Sequence, residues 1–301
     1  MRKVLITIIA AIVLFAGCAK DGVFDPNGKI KKIYRSSVYY DYENPKELKE
    51  RWTWDGDLLK KIEHIYNGRT QMSVEFQYDG KRVFRIIEDD DTKYVFEYKG
   101  SKIEKITIWY YDEKDADIEY IYKNSKIVEQ KITFYDEFFG PDFAPSKSPL
   151  RFFVSQKMLY SLNKIMAKRN SKGKEASASA VFSYEYEKDN VKTASLVYTE
   201  TDGEDTYKST AKEEYTYDDK SNPFYNYPIP DTDGGIATQL SKNNCTKIIY
   251  SYIDEKNGVV VFEELDSSEI CTYKYDDDLP VERTITSSTT SNNSTTYYYE
   301  Y

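Results

Sequence analysis

The sequence predicts an all-β protein: a large antiparallel meander of about 16 strands, with one short helical insertion. Three observations lead there. One phrase recurs along the chain, as WTWDG (52–56), FQYDG (76–80), FEYKG (96–100), YIYKN (120–124), YEYEKD (184–189), YTYDD (215–219) and YKYDD (273–277). The residues before each copy alternate with period two. Finally, 30 Tyr and 14 Phe against 9 Pro and 13 Gly is a sheet-favouring mixture, because aromatic rings suit a pleated, half-buried surface.

The chain begins MRKVLITIIAAIVLFAGC, with basic Arg2 and Lys3 before an apolar run from Val4 to Ala16 broken only by Thr7. That run is shorter than the roughly 20 residues a membrane-spanning helix needs, so residues 1–17 are expected to be a cleaved signal peptide. Phe15-Ala16-Gly17-Cys18 resembles a lipobox, the site where a bacterial signal peptidase cuts before a cysteine that becomes lipidated. The resemblance implies a membrane anchor at Cys18; a plain secretory leader with an incidental cysteine is the alternative. Each buried methylene of an acyl chain adds about 0.8 kcal/mol, so several chains on one residue hold firmly. Residues 18–27 then form the lipidated tether. Within it Ala19-Lys20-Asp21-Gly22 resembles an export tag that sends some lipoproteins of gut Gram-negative bacteria to the cell surface. An outer-membrane lipoprotein facing either the periplasm or the cell surface is expected.

Residues 28–301 read as a single β-meander domain with insertions at 140–175 and 220–243. In TQMSVEFQYDG, Met72, Val74, Phe76 and Tyr78 fall on one side and Ser73, Glu75 and Gln77 on the other, the period of a strand with one dry face. Tyr94, Phe96 and Tyr98 repeat the pattern, as do Ile118, Tyr120 and Tyr122. Each copy ends in a turn such as Asp79-Gly80-Lys81-Arg82 and opens a second strand of mixed apolar and basic character, such as KIEKITIW (102–109). The opposite hairpin ends carry Asn67-Gly68, EDDDTK (88–93) and DEKDAD (112–117). Asp-Gly and Asn-Gly pairs are strong hairpin signals, because they accept the positive φ that matches strand twist. Trp54, Tyr78, Tyr98 and Tyr122 lie 20 to 24 residues apart, one hairpin per period.

Two stretches break the phrase. In 148–174, Ser148-Pro149 signals a helix start, and Leu150, Val154, Met158, Leu162 and Ile165 come close to helical spacing; Phe152-Phe153 also suit a strand. In 222–243, Pro223, Pro228, Pro230 and Gly234-Gly235 predict a long loop.

The hairpins, together with YTYDDKSNPFYNYP (215–228), LSKNNCTKIIYSY (240–252) and YKYDDDLP (273–280), resemble a gut-bacterial, Bacteroidota-type lipoprotein family. That family is a domain of unknown function with a porin-like fold, built from YD-type hairpin repeats. The resemblance covers roughly 25–301; it implies a rolled or closed antiparallel sheet, with the meander curled into a barrel-like body, and supplies no catalytic residues. A porin-like fold is not by itself a pore. Membrane-crossing strands need roughly nine to eleven residues with one uniformly apolar face, whereas KRVFRIIEDD and TYKSTAKEEYTY carry charge on both faces. A meander curled into a barrel-like body or a curled sheet in water, with its tyrosine-rich face turned inward, is expected; insertion into the membrane is the alternative.

The formal charge of −9 argues against a nucleic-acid partner, which needs a basic face. His64 is the only histidine, so Ser-His or Cys-His catalysis has that one position and no multi-histidine metal site is available. The runs Asp89-Asp90-Asp91, Asp218-Asp219 and Asp276-Asp277-Asp278 lack the spacing of a calcium loop and read as turns on an acidic surface. No pair of acids is singled out for glycosidase-like chemistry. No cofactor, metal or catalytic residue is expected.

Cys245 and Cys271 are candidate disulfide partners. With Asn257-Gly258 as the turn, Cys245 falls opposite Ile270, and one bulge would bring Cys271 opposite it; the alternative is two small core residues. The Y-x-Y tyrosines are expected in the core. Phe224, Tyr225 and Tyr227, on the proline-rich loop, are the candidate ligand-contact aromatics, because loops on rigid scaffolds carry function. The function expected is a non-enzymatic binding or accessory module of the cell envelope, for a glycan or an envelope protein. A two-carboxylate hydrolase and a purely structural envelope protein are the alternatives.

Overall fold

Every copy of the recurrent phrase closes one strand of a hairpin and turns the chain into the next. The computed structural model describes residues 24, 26, 28–40, 42–89, 91–135, 153–170, 178–202, 204–226, 235–288 and 293–301. Within these, the first nine strands are β1 (Lys32–Tyr39), β2 (Tyr42–Asp55), β3 (Leu58–Tyr66), β4 (Arg69–Asp79), β5 (Arg82–Glu88), β6 (Thr92–Lys99), β7 (Lys102–Tyr110), β8 (Glu113–Lys123) and β9 (Lys126–Phe134). Helix α1 (Gln156–Asn170) precedes β10 (Ala178–Glu187), β11 (Asn190–Asp202) and β12 (Asp205–Ser221). Helix α2 (Gly235–Gln239) precedes β13 (Asn243–Lys256), β14 (Val259–Asp276), β15 (Leu279–Ser287) and β16 (Ser294–Glu300). Each strand pairs antiparallel with its chain neighbours, β9 pairs with β10 across the first insertion, and β16 pairs with β1. The sixteen antiparallel strands are those the periodicity predicts; the sheet they form is a closed barrel, and among the described strands closure leaves no exposed edge.

An up-and-down barrel sorts its turns onto two ends. One end carries the turns of the recurrent phrase, with Gly56, Gly80 and Gly100 at positive φ. The other carries the turns between odd and even strands, among them Asn67-Gly68 and Asn257-Gly258, both residues of each pair at positive φ. That is the turn whose twist suits a two-residue hairpin.

The inward faces are the predicted dry faces. Val74, Phe76, Tyr94, Phe96, Ile118, Tyr120 and Tyr184 are all buried in one continuous core. The outward faces carry cross-strand ion pairs between register partners: Lys61 with Glu75 (3.4 Å), Lys105 with Glu97 (2.8 Å), Lys208 with Glu255 (2.8 Å) and Lys274 with Glu282 (2.8 Å). Charges at mid-strand on the outer wall are destabilising against lipid by about 2–4 kcal/mol for Lys at the midplane.

At the phrase end a single device recurs. The ladder between β5 and β6 stops at Arg85 and Val95, which strips the Val83 carbonyl of a cross-strand donor; the Tyr98 hydroxyl donates to it at 2.7 Å. The ladders β3–β4, β7–β8 and β9–β10 likewise stop at Lys61, Lys105 and Glu129. There Tyr78 donates to Leu59 (2.7 Å), Tyr122 to Ile103 (2.9 Å) and Tyr186 to Ile127 (2.9 Å). Each of these carbonyl residues is also the register partner of the preceding phrase's Trp or Tyr, next to a bulge. Bulges increase local twist and splay adjacent hairpins, and the tyrosine hydroxyl satisfies the carbonyl so released.

Two plugs fill the lumen. From the odd–even end, α1 and the residues before it insert Phe153, Val154, Met158, Leu159 and Leu162, all buried in the core that the inward strand residues form. The helix starts later than Ser148-Pro149 suggests: Ser155 caps it, its Oγ accepting the Met158 N–H at 3.2 Å. Ser148, Pro149, Leu150 and Phe152 lie outside the described residues; Phe153 takes neither the helix nor the strand that the sequence allowed it. At the phrase end the second insertion folds over the barrel. Asn222 holds it, donating to the carbonyls of Thr238 (2.7 Å) and Ser241 (2.9 Å).

Candidate functional site

Tyrosines left out of the core gather at one end. Tyr39, Tyr40 and Tyr42 flank the β1–β2 turn, Tyr66 the β3–β4 turn, Tyr110 and Tyr111 the β7–β8 turn, and Tyr135 follows β9; all are exposed. Tyr160 on α1 and the Val259–Phe262 stretch after the β13–β14 turn are exposed as well. By strand order every one of these turns lies at the odd–even end. Tyr40 is 70% and Tyr42 68% accessible, values that no packing role explains. The Tyr110 and Tyr111 rings meet edge to face at 4.5 Å. Cations reach this rim too, with the Lys114 ammonium 4.4 Å from the Tyr135 ring and the Lys49 ammonium 5.6 Å from that of Tyr66.

Inside the barrel, a cavity of ≈ 240 Å³ lies between α1 and the β12–β16 wall, lined by Ser155, Lys157, Glu213, Ile248, Glu269, Ile285, Thr295 and Tyr297. Lys157 and Glu269 form an ion pair at 3.1 Å. Glu213 is buried and accepts hydrogen bonds from the hydroxyls of Ser155 and Tyr215. Burial pushes its carboxyl above the ordinary carboxylate range; the two hydrogen bonds and Lys157 pull it back only in part, and Glu269 adds to the rise. A narrower cleft shares Ile248, Glu269 and Ile285 with this cavity and runs toward Cys245, Cys271 and Phe224.

The sequence-predicted residues fare unequally. Phe224 is not a surface contact: it is 8% exposed, with its ring 6.3 Å from Trp52 and 5.9 Å from Tyr299. The loop that carries it is a cap, and its aromatic side chain points into the barrel. Tyr225 is half-buried beside it, its N–H donating to the Asn222 carbonyl at 3.2 Å. Tyr227 and Cys18 lie outside the described residues. The candidate Cys245–Cys271 bond is not formed; both are buried thiols lining the same cleft, which is the alternative the sequence left open. Two bulges rather than one interrupt β13–β14, between Asp254 and Glu255 and between Tyr250 and Ser251, so Lys247 faces Ile270. His64 sits on β3, half-buried, 3.5 Å from Glu50. Asp218 accepts the N–H groups of Lys220 (3.0 Å) and Asn244 (3.2 Å), and Asp278 accepts the Ser221 hydroxyl. These acids hold the cap and its neighbouring turns together.

Neither the rim nor the cavity is foreshadowed by the repeat. A signal for the rim does exist: VYYDYE, IYNG and WYYDE place tyrosine beside the turns that lack the recurrent phrase.

No protein-family model matches the chain, and no curated protein sequence does. Among solved structures the chain is similar to a porin-like protein from Bacteroides vulgatus, at 12% identity over 90% of this chain and 98% of that one, with a TM-score of 0.31. A superposition that loose adds nothing to what the strand order establishes.

Proposed function

We propose that the chain is a cell-envelope lipoprotein, anchored to the outer membrane through Cys18, whose barrel serves as a non-enzymatic binding module with the tyrosine rim as its contact surface. One observation carries the reading: exposed tyrosines with no core role collect at the end of the barrel opposite the N-terminal segment. That segment packs at the phrase end, where the Trp54 indole donates to the Ile30 carbonyl (2.7 Å), Lys29 donates to the Gly56 carbonyl (2.7 Å) and the Phe24 ring stacks on Trp54 at 5.9 Å. A tether leaving from there turns the rim away from the bilayer, toward whatever the envelope presents. Tyrosine offers an apolar face and a polar tip at low entropic cost, which suits both sugar rings and protein surfaces. The lumen is plugged by α1, so a pore reading gains no support.

The two-acid hydrolase has one observation in its favour, the presence of Glu213 and Glu269 in one cavity. It is the weaker reading, because Glu269 is engaged by Lys157. The test is binding of the intact chain to a panel of purified envelope polysaccharides, followed by calorimetry. Tyr66→Ala and Tyr111→Ala should lower affinity at least tenfold without changing the melting temperature. Binding that both variants leave intact, or no binding by the unaltered chain to glycan or envelope protein, sinks the proposal.

A further inference from the structure

We propose that the interior cavity between α1 and β12–β16 is a second binding site, for a neutral polyhydroxylated molecule about the size of one sugar ring. The site goes beyond the rim and stands apart from it. At ≈ 240 Å³ it falls below the roughly 300–1,000 Å³ of pockets for drug-sized ligands, which limits the occupant to a single small ring.

The lining selects the chemistry. Glu213 on β12 and Glu269 on β14 present carboxyl oxygens, Lys157 an ammonium, Ser155 and Thr295 hydroxyls, and Tyr297 a ring backed on Ile248 and Ile285. The Arg283 guanidinium lies 4.7 Å from the Tyr297 ring. An anion entering here meets two acids. A cation meets Lys157, which is already committed to Glu269 and also donates to Ser267 at 3.3 Å. A hydrocarbon would strip water from an ion pair and a buried carboxyl without replacing any hydrogen bond, a penalty of several kcal/mol. A polyol satisfies all three constraints: its hydroxyls both donate and accept, and its C–H face fits Tyr297 and the two isoleucines. Lys157 and Glu269 are each partly exposed on their side chains, at 30% and 24%, so this pair forms the approach, and buried Glu213 forms the floor.

Saturation-transfer NMR on the intact chain tests this with free glucose, galactose, mannose and N-acetylglucosamine, and with inorganic phosphate and cyclohexanol as competitors. Transfer to at least one sugar is expected, reduced at least tenfold by Ile248→Trp, which fills the cavity, and by Thr295→Val, which keeps its shape and removes one hydroxyl. Lys274→Ala, on the outer wall away from both rim and cavity, should leave transfer unchanged. Absence of transfer to every sugar, transfer that survives both cavity variants, or displacement of the sugar by phosphate or cyclohexanol overturns the proposal. Transfer that is lost with Tyr111→Ala on the rim and kept by both cavity variants overturns it too, and leaves the rim reading standing.

Discussion

The Tyr98 hydroxyl donates to the Val83 carbonyl at 2.7 Å, just past the point where the ladder between their two strands stops. The ring of Tyr98 is largely buried, and burial pushes its hydroxyl up to about 12, so it stays a donor across any physiological pH. The Arg82 guanidinium covers the same ring at 5.4 Å. Lys60, Lys102 and Lys126 cover Tyr78, Tyr122 and Tyr186 in the same way, at 5.2, 5.0 and 5.0 Å. The repeated phrase is therefore a clamp between successive hairpins, written once per hairpin because each boundary between hairpins opens at the same height.

Tyr98→Phe keeps the ring and removes the bond. A net loss of about 1 kcal/mol is expected, more if the Val83 carbonyl finds no water. Urea unfolding should show a lower midpoint with an unchanged slope. Tyr78→Phe and Tyr122→Phe sit at separate boundaries and should add to it within about 0.5 kcal/mol. A triple variant as stable as the parent would show that the clamps contribute nothing.

Phe224 separates a cap from a binding loop. Buried against Trp52 and Tyr299, it should behave as core, so Phe224→Ala is expected to cost about 3–5 kcal/mol. A surface aromatic would cost no more than about 0.5 kcal/mol. Differential scanning fluorimetry distinguishes these outcomes without any ligand.

What the sequence discloses follows from what is periodic. Inward faces, turns and strand number were legible because a one-residue slip would turn Phe76 and Tyr94 outward, so alternation had to be written into every strand. The rim tyrosines sit at turn flanks, where no period constrains them. Phe224 was misread because a proline-rich loop looks exposed, and only the closed barrel beneath it gives its ring a place to be buried. The cavity is built from Ser155 and Glu213, 58 residues apart, on an insertion and a strand that meet only once the sheet closes.

Cys245 and Cys271 give a chemical readout of the β13–β14 register. Burial pushes the Cys245 thiol well above its ordinary range, and the neighbouring Cys271 adds to the rise, so Cys245 supplies little thiolate; Cys271 is buried as well. In a Cys18→Ser chain, a thiol reagent should label neither in the native state and both in denaturant. Failure to label in denaturant would mean that the two had become bonded.

Glu213 predicts a pH dependence whose sign is fixed by its surroundings. Its folded carboxyl titrates above the ordinary value of 4.5, with burial as the main cause. Below that value the carboxyl is protonated in both folded and unfolded chains, and it exerts no pH-dependent effect. As pH climbs through 4.5 the unfolded chain releases its proton while the folded one retains it, so stability falls until the folded carboxyl also ionises. Lys157 eases that ionisation and Glu269 opposes it. Glu213→Gln carries no proton to lose and keeps a group able to accept from the Ser155 and Tyr215 hydroxyls. Its stability relative to the parent should therefore rise between pH 4 and pH 8, measured as the difference in urea midpoints at each pH; all other titrations cancel in that difference. A gap that stays flat across the range, or that moves against the variant as pH rises, would mean that Glu213 is ionised in the fold and that the floor of the cavity carries a charge.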